Sequence, residues 1–138
     1  MRDDREVTAP AILFLCLGNI CRSPLAEGAA RAAFADAGIA ATLDSAGTGD
    51  WHVGRPPDPR ALAEARRRGV DISDLRARAL APADATARLM LMLDLVRGRA
   101  GDSVTDPYYG ADDGFAETWD DVSAVAAALV VDATGSSG

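Results

Sequence analysis

Cysteine, histidine and long apolar runs are scarce in this chain, and each shortage excludes a class of protein. The 138 residues include two cysteines, Cys16 and Cys21, and one histidine, His52, which do not supply the four ligands of a structural zinc site. No apolar run approaches the roughly 20 residues that a membrane-spanning helix needs. The first residues lack the apolar segment of a signal peptide. We therefore expect a cytoplasmic protein that does not bind membranes.

Basic residues are also in deficit. Fourteen arginines and lysines face twenty-one acidic residues, giving a net charge of −7, which argues against a general nucleic-acid-binding surface. The apolar fraction of 49% and charged fraction of 25% are typical of soluble globular proteins. The length and the lack of a repeat or linker predict a single domain over residues 1–138. We expect residues 1–8 and 133–138 to be flexible.

The most informative segment of the chain lies between a strand pattern and a helix start. Residues 11–15 are continuously apolar, which predicts a buried parallel strand. Ser23 and Pro24 predict the start of a helix, with the serine at the N-cap position. The loop between them then turns its backbone N–H groups inward at a helix N-terminus. Such an arrangement binds phosphate-like anions.

The side chains of this loop are those that phosphoryl transfer requires. The thiolate is the nucleophilic form of cysteine, and Cys16 has loop amides, the Ser23 hydroxyl and the Arg22 guanidinium to favour it. Arg22 can hold two phosphate oxygens in a planar fork. Gly18 lets the backbone approach the anion, and Asn19 tolerates a left-handed conformation. The remaining residues of the predicted phosphate-binding loop are Leu17, Ile20 and Cys21.

The string CLGNICRSP at 16–24 resembles the signature of low-molecular-weight protein tyrosine phosphatases. The segments DSAGTG at 44–49, WHVG at 51–54, PDPR at 57–60 and DPYYG at 106–110 also match, in order. The resemblance implies a protein-tyrosine-phosphatase that forms a phosphocysteine intermediate and needs no metal or other cofactor. It implies a phosphotyrosine-containing protein as substrate, phosphate or other oxyanions in the loop, and a monomer or weak dimer.

Further residues are candidates for the other parts of this site. Asp106 precedes a proline, which alone indicates only a turn, but the resemblance implies the general acid that an aryl leaving group needs. Tyr108 and Tyr109 follow it and offer aromatic walls for a phenyl ring, and Trp51 offers the opposite wall. Ser45 resembles the serine that supports the loop through Asn19. A strand-end serine that bonds its own backbone is an alternative.

Several alternatives remain open at this stage. Cys21 is either a redox partner that captures an oxidised Cys16 or simply a small packed side chain. Arsenate reductases of the same fold need two downstream cysteines that this chain lacks. Protein arginine phosphatases typically have threonine at the position of Ile20 and lack the tyrosine pair. A phosphate-binding module without catalysis is the alternative from a different functional class.

The fold class that the resemblance implies is α/β: a small, flavodoxin-like three-layer αβα domain with a twisted parallel sheet, of the phosphotyrosine phosphatase I type. The pattern predicts helices over 24–37 and from Asp58 to Gly69, a strand over 41–45, a buried strand over 88–94 and a C-terminal helix from about residue 112. One face of that last helix is marked by Phe115, Trp119, Val122, Val125, Ala126 and Leu129. Relatives carry four strands. The pattern here lacks a strand-plus-helix unit of about 25–30 residues, so we predict three strands.

Overall fold

The structure is a computed structural model that describes residues 11–16, 22–49, 52–81 and 113–135. Its elements are β1 (Ala11–Cys16), α1 (Arg22–Ala37), β2 (Thr42–Gly47), α2 (Pro59–Arg67) and α3 (Asp113–Gly135). The two strands pair in parallel, which confirms the α/β class with a parallel sheet. The strand predicted over 88–94 lies outside the described residues, so the count of three strands stays a prediction.

The carboxyl end of the sheet is fixed by backbone hydrogen bonds from three segments. In the parallel register, Cys16 lies beside Gly47, the last residue of β2. On its other side, Gly47 N–H donates to Arg78 O at 2.8 Å, and Leu80 N–H donates to Gly47 O at 2.9 Å. Thr48 N–H also donates to Cys16 O at 2.9 Å. The end of β1 is therefore tied to β2, which is itself held by the segment at 78–80.

The helix boundaries follow local chemistry with two differences from the sequence predictions. Asp58 caps α2 as expected, since its carboxylate accepts from Arg60 N–H at 2.8 Å and Pro59 follows it. The prediction that Ser23 is an N-cap is wrong: α1 begins at Arg22, so Ser23 lies inside the first turn. At the other end of the chain, α3 continues to Gly135, into the range 133–138 that was expected to be flexible.

The helices share one hydrophobic core with β1. Large side chains come from Phe14 of β1, Leu25 and Phe34 of α1, and the predicted inner face of α3. On that face, Phe115, Trp119, Val122, Val125 and Ala126 are buried, and Leu129 is partly buried. Eight of the seventeen buried hydrophobic residues in the described segments are alanines, among them three in α1 and two in α2. Small side chains let helices approach closely.

None of the described helices combines the length and apolarity that crossing a membrane requires.

Candidate active site

The site is built around the last residue of β1 and the first turn of α1. Cys16 Sγ lies 3.0 Å from Ser23 Oγ, and both side chains are buried. Because Ser23 lies inside the first turn of α1, its hydroxyl faces back toward the strand end. The contact expected from the sequence between this thiol and this hydroxyl is therefore present.

Arg22 is the first residue of α1 and immediately precedes Ser23. Its Nε atom is buried, so the stem of the guanidinium group is held inside the protein at the start of the helix. The backbone N–H groups of a helix N-terminus carry partial positive charge, to which Arg22 adds a full one. This end of α1 is therefore an electropositive position directly beside a buried thiol.

Much of the predicted site lies outside the described residues. This applies to the loop residues Leu17, Gly18, Asn19, Ile20 and Cys21, to Trp51, and to Asp106, Tyr108 and Tyr109. Their roles stay predictions. The structure thus brings together Cys16, Ser23 and the beginning of α1 at Arg22, which are the parts of the site supplied by the strand and the helix.

Ser45 connects the site to a residue that the sequence analysis did not single out. Its hydroxyl donates to Glu27 Oε1 at 2.7 Å, and Arg31 Nη2 donates to Glu27 Oε2 at 2.7 Å. Glu27 is 2% exposed. Burial raises the pKa of Glu27 above its ordinary value, although the bond from Ser45 and the charge of Arg31 oppose the shift. The spacing of four residues between Glu27 and Arg31 is the sequence signal for this pair.

A second buried glutamate, Glu64, lies on α2. Its carboxylate accepts from Arg67 and, at 2.8 Å, from Arg68. Burial opposes its ionisation, but these two arginines outweigh it, so the pKa of Glu64 is lowered. Arg68 also bonds Asp120 on α3 at 3.2 Å, which links the two helices. The two arginines at the end of α2 thus hold its buried carboxylate in place.

The loop after β2 is hydrogen-bonded through its backbone to Ala77. Gly54 N–H donates to Ala77 O at 2.8 Å, and Ala77 N–H donates to Arg55 O at 2.8 Å. Gly54 has a φ of 84°, a conformation that favours glycine. The described part of this loop at 52–55 is therefore tied by its backbone to Ala77, close in the chain to Arg78, which bonds Gly47 at the sheet end beside Cys16.

Comparisons with known proteins agree on one family. Residues 11–96 match the family described as low molecular weight phosphotyrosine protein phosphatase. A protein of that description from Schizosaccharomyces pombe is 37% identical over 135 positions, covering 78% of this chain and 86% of its own length. A low molecular weight protein-tyrosine-phosphatase from Streptomyces coelicolor is 37% identical over 148 positions, covering 86% of this chain and 90% of its own.

Solved structures give the same picture for the fold. YfkJ from Bacillus subtilis superposes with a TM-score of 0.85 at 28% identity, covering 95% of this chain and 98% of that protein. A protein tyrosine phosphatase from Entamoeba histolytica superposes with a TM-score of 0.83 at 25% identity, covering 95% of this chain and all of the other. The fold of this chain is therefore that of these phosphatases.

The alignments also measure how much shorter this chain is. The Schizosaccharomyces pombe alignment has 135 positions, but 78% of 138 residues is about 108, so about 27 positions have no residue of this chain opposite them. The Streptomyces coelicolor alignment has 148 positions, and 86% of this chain is about 119 residues. About 29 positions of that alignment therefore have no residue of this chain opposite them. This agrees with the strand-plus-helix unit that the sequence pattern indicates is missing.

Proposed function

Because this chain belongs to the low molecular weight phosphotyrosine protein phosphatase family, we propose that it hydrolyses phosphotyrosine in proteins through a phosphocysteine intermediate. The observation that carries the proposal is the contact of 3.0 Å between Cys16 Sγ and Ser23 Oγ at the N-terminus of α1. A hydroxyl donor and a helix N-terminus both favour the thiolate form of a cysteine. The protein would act in the cytoplasm, as a monomer or weak dimer.

The reaction takes place in two displacements at phosphorus. In the first, the Cys16 thiolate attacks the phosphorus of the bound aryl phosphate, and the bond from phosphorus to the phenolic oxygen breaks. Asp106 gives its proton to the departing oxygen. In the second, Asp106 takes a proton from a water that attacks the same phosphorus, which breaks the phosphorus–sulfur bond and releases phosphate. The loop amides and Arg22 stabilise the equatorial phosphoryl oxygens in both steps.

Substrate preference comes from the walls of the pocket. We propose that Trp51, Tyr108 and Tyr109 stack against a phenyl ring, which the short side chain of phosphoserine could not exploit. The tyrosine pair and Ile20 also favour phosphotyrosine over phosphoarginine. The lack of cysteines after Cys21 argues against arsenate reduction.

The test compares the parent with Cys16→Ser and Asp106→Ala on p-nitrophenyl phosphate. Exposed Asp120, whose side chain is 68% exposed, supplies the control Asp120→Asn. We expect no turnover by Cys16→Ser, a loss of about 10²-fold or more for Asp106→Ala, and parent activity for the control. Because the mechanism needs an ionised Cys16 and a protonated Asp106, the parent should have an acidic pH optimum. Equal activity in all four proteins would contradict the proposal.

One observation favours a second candidate. About 27 aligned positions have no residue of this chain opposite them, and the sequence pattern predicts that the missing unit precedes the segment that carries Asp106. A protein that retains the phosphate-binding loop but has lost turnover would bind inorganic phosphate without hydrolysing p-nitrophenyl phosphate. Calorimetric binding of phosphate by an inactive parent would therefore favour a phosphate-binding module.

A further inference from the structure

Two side chains on the same face of α1 contact the sheet. Ser23 touches Cys16 Sγ at 3.0 Å, and Glu27, four residues later, accepts a hydrogen bond from Ser45 Oγ at 2.7 Å. Residues four apart in a helix lie one above the other on one face. The first two turns of α1 are therefore attached to the sheet at two points, one at the thiol and one at Ser45.

The two attachment points on the sheet do not move independently. Ser45 lies opposite Phe14 in the parallel register, and Cys16 lies two residues further along the same strand as Phe14. The backbone bonds between β1 and β2 hold these positions at a fixed separation. A rotation or shift of α1 that lengthens the Glu27–Ser45 bond would therefore also displace Ser23 from Cys16.

The surroundings of Glu27 make a buried carboxyl group costly, so its bond to Ser45 has a role beyond packing. On β2, the neighbours of Glu27 are the neutral Ser45 and the acidic Asp44. The negative charge of Asp44 disfavours ionisation of Glu27. On its own helix it faces Arg31, whose side chain is 42% exposed and which also lies 3.6 Å from Asp74. A carboxyl group is costly to bury with so little positive charge around it. An apolar residue would pack at this position at lower cost, but it could not bond Ser45.

We propose that Glu27 is a positioning residue for the candidate nucleophile: by bonding Ser45, it holds the first turn of α1, and with it Ser23, at the correct distance from Cys16. This inference rests on the proposed function, because Cys16 is the residue that is positioned. A displacement of about 1 Å at a reacting group costs an enzyme up to about 10²-fold in rate. The effect of losing Glu27 should therefore be seen in the reactivity of Cys16.

The chain offers a matched control in Glu64. It is as buried as Glu27, at 1% exposed, and is likewise bonded by arginine, but it lies on α2 and bonds Arg67 and Arg68 rather than any residue of the site. The same change of glutamate to alanine at the two positions separates a general loss of stability from a specific effect on Cys16.

The experiment measures two properties of Cys16 in the full chain. The first is the rate of carboxymethylation by iodoacetate at pH 6, with peptide mass spectrometry to separate Cys16 from Cys21. The second is kcat and KM for p-nitrophenyl phosphate. We expect Glu27→Ala and Ser45→Ala, which each remove one partner of the bond, to lower kcat and the rate of carboxymethylation by about tenfold, with KM changed less. The double variant should be no slower than the slower single variant, because both remove the same bond.

Glu64→Ala should lower the midpoint of thermal unfolding and leave both Cys16 readouts at parent values. The proposal is overturned if Glu27→Ala and Ser45→Ala lower only the thermal midpoint, or if Glu64→Ala slows Cys16 to the same degree. If Glu27→Ala does not fold, the Cys16 readouts of Ser45→Ala decide between these outcomes. If the parent shows no turnover, the proposed function fails, while the carboxymethylation rates still decide whether Glu27 positions Cys16.

Discussion

The two buried glutamates should respond to pH in opposite directions, and this can be tested on the free energy of unfolding. Burial raises the pKa of Glu27, so the folded state binds its proton more tightly than the unfolded state. Its contribution to stability is therefore complete below the ordinary pKa of 4.5 and is lost as the pH rises through the folded-state value. For Glu64 the pKa is lowered, so its contribution is present above 4.5 and is lost as the pH falls.

The structure sets the size of each effect. Glu64→Gln removes the charge from a carboxylate whose arginine partners, Arg67 and Arg68, are 63% and 35% exposed, so solvent screening reduces the loss. We expect Glu64→Gln to cost about 1–2 kcal/mol at pH 7. Glu27→Gln keeps an acceptor for Ser45 and removes a carboxyl group whose ionisation is opposed by burial, so it should cost less than about 1 kcal/mol at pH 7.

Urea unfolding between pH 3 and pH 8 at constant ionic strength measures both effects, with fluorescence of the buried Trp119 as the probe. The deficit of Glu64→Gln relative to the parent should shrink as the pH falls below 4.5. Glu27→Gln should instead improve relative to the parent as the pH rises above 4.5. If both deficits change in the same direction with pH, or neither changes, the assignment of opposite pKa shifts is refuted.

Three further predictions concern single contacts. Ser23→Ala removes the hydroxyl beside Cys16 Sγ and should slow carboxymethylation of Cys16 by about tenfold or more; an unchanged rate would contradict a role for this contact. Gly28→Ala places a Cβ 2.5 Å from Ile72 Cγ2, so it should destabilise the protein by about 1–2 kcal/mol in urea unfolding despite alanine's higher helix propensity. Asp58→Ala removes the N-cap of α2 and should cost about 0.5–2 kcal/mol, whereas Asp58→Asn should cost less.

The sequence predicted the elements that depend on local patterns. The strand at the continuous apolar run, the Asp58–Pro59 start of α2 and the inner face of α3 are confirmed. The expectation that this strand is buried holds only for Phe14 and Cys16 among its six residues. The cysteine and serine that flank the predicted loop were expected to meet, and they do. Each of these features is determined by neighbours in the chain or by a fixed helical or strand period.

Other features depend on the angles at which elements pack, and no sequence period encodes those angles. The bond between Ser45 and Glu27 joins residues 18 positions apart, and the pair of Arg68 with Asp120 joins residues 52 apart. The start of α1 at Arg22 is a third case, because the helix begins one residue before the serine that the local capping pattern selects. Local helix rules cannot foresee a partner supplied by another element.

The alanine-rich contacts between the helices have a consequence for the sequence variants that this protein can accept. Positions such as Ala30, Ala61 and Ala65 are fully buried, and truncating them further to glycine would remove only a methyl group. Any other replacement adds volume at a fully buried position of the core, where added volume forces neighbouring side chains and backbone to shift. Inherited variation at these positions should therefore be limited by steric crowding, whereas the large residues of α3 are sensitive to the opposite change, a loss of volume.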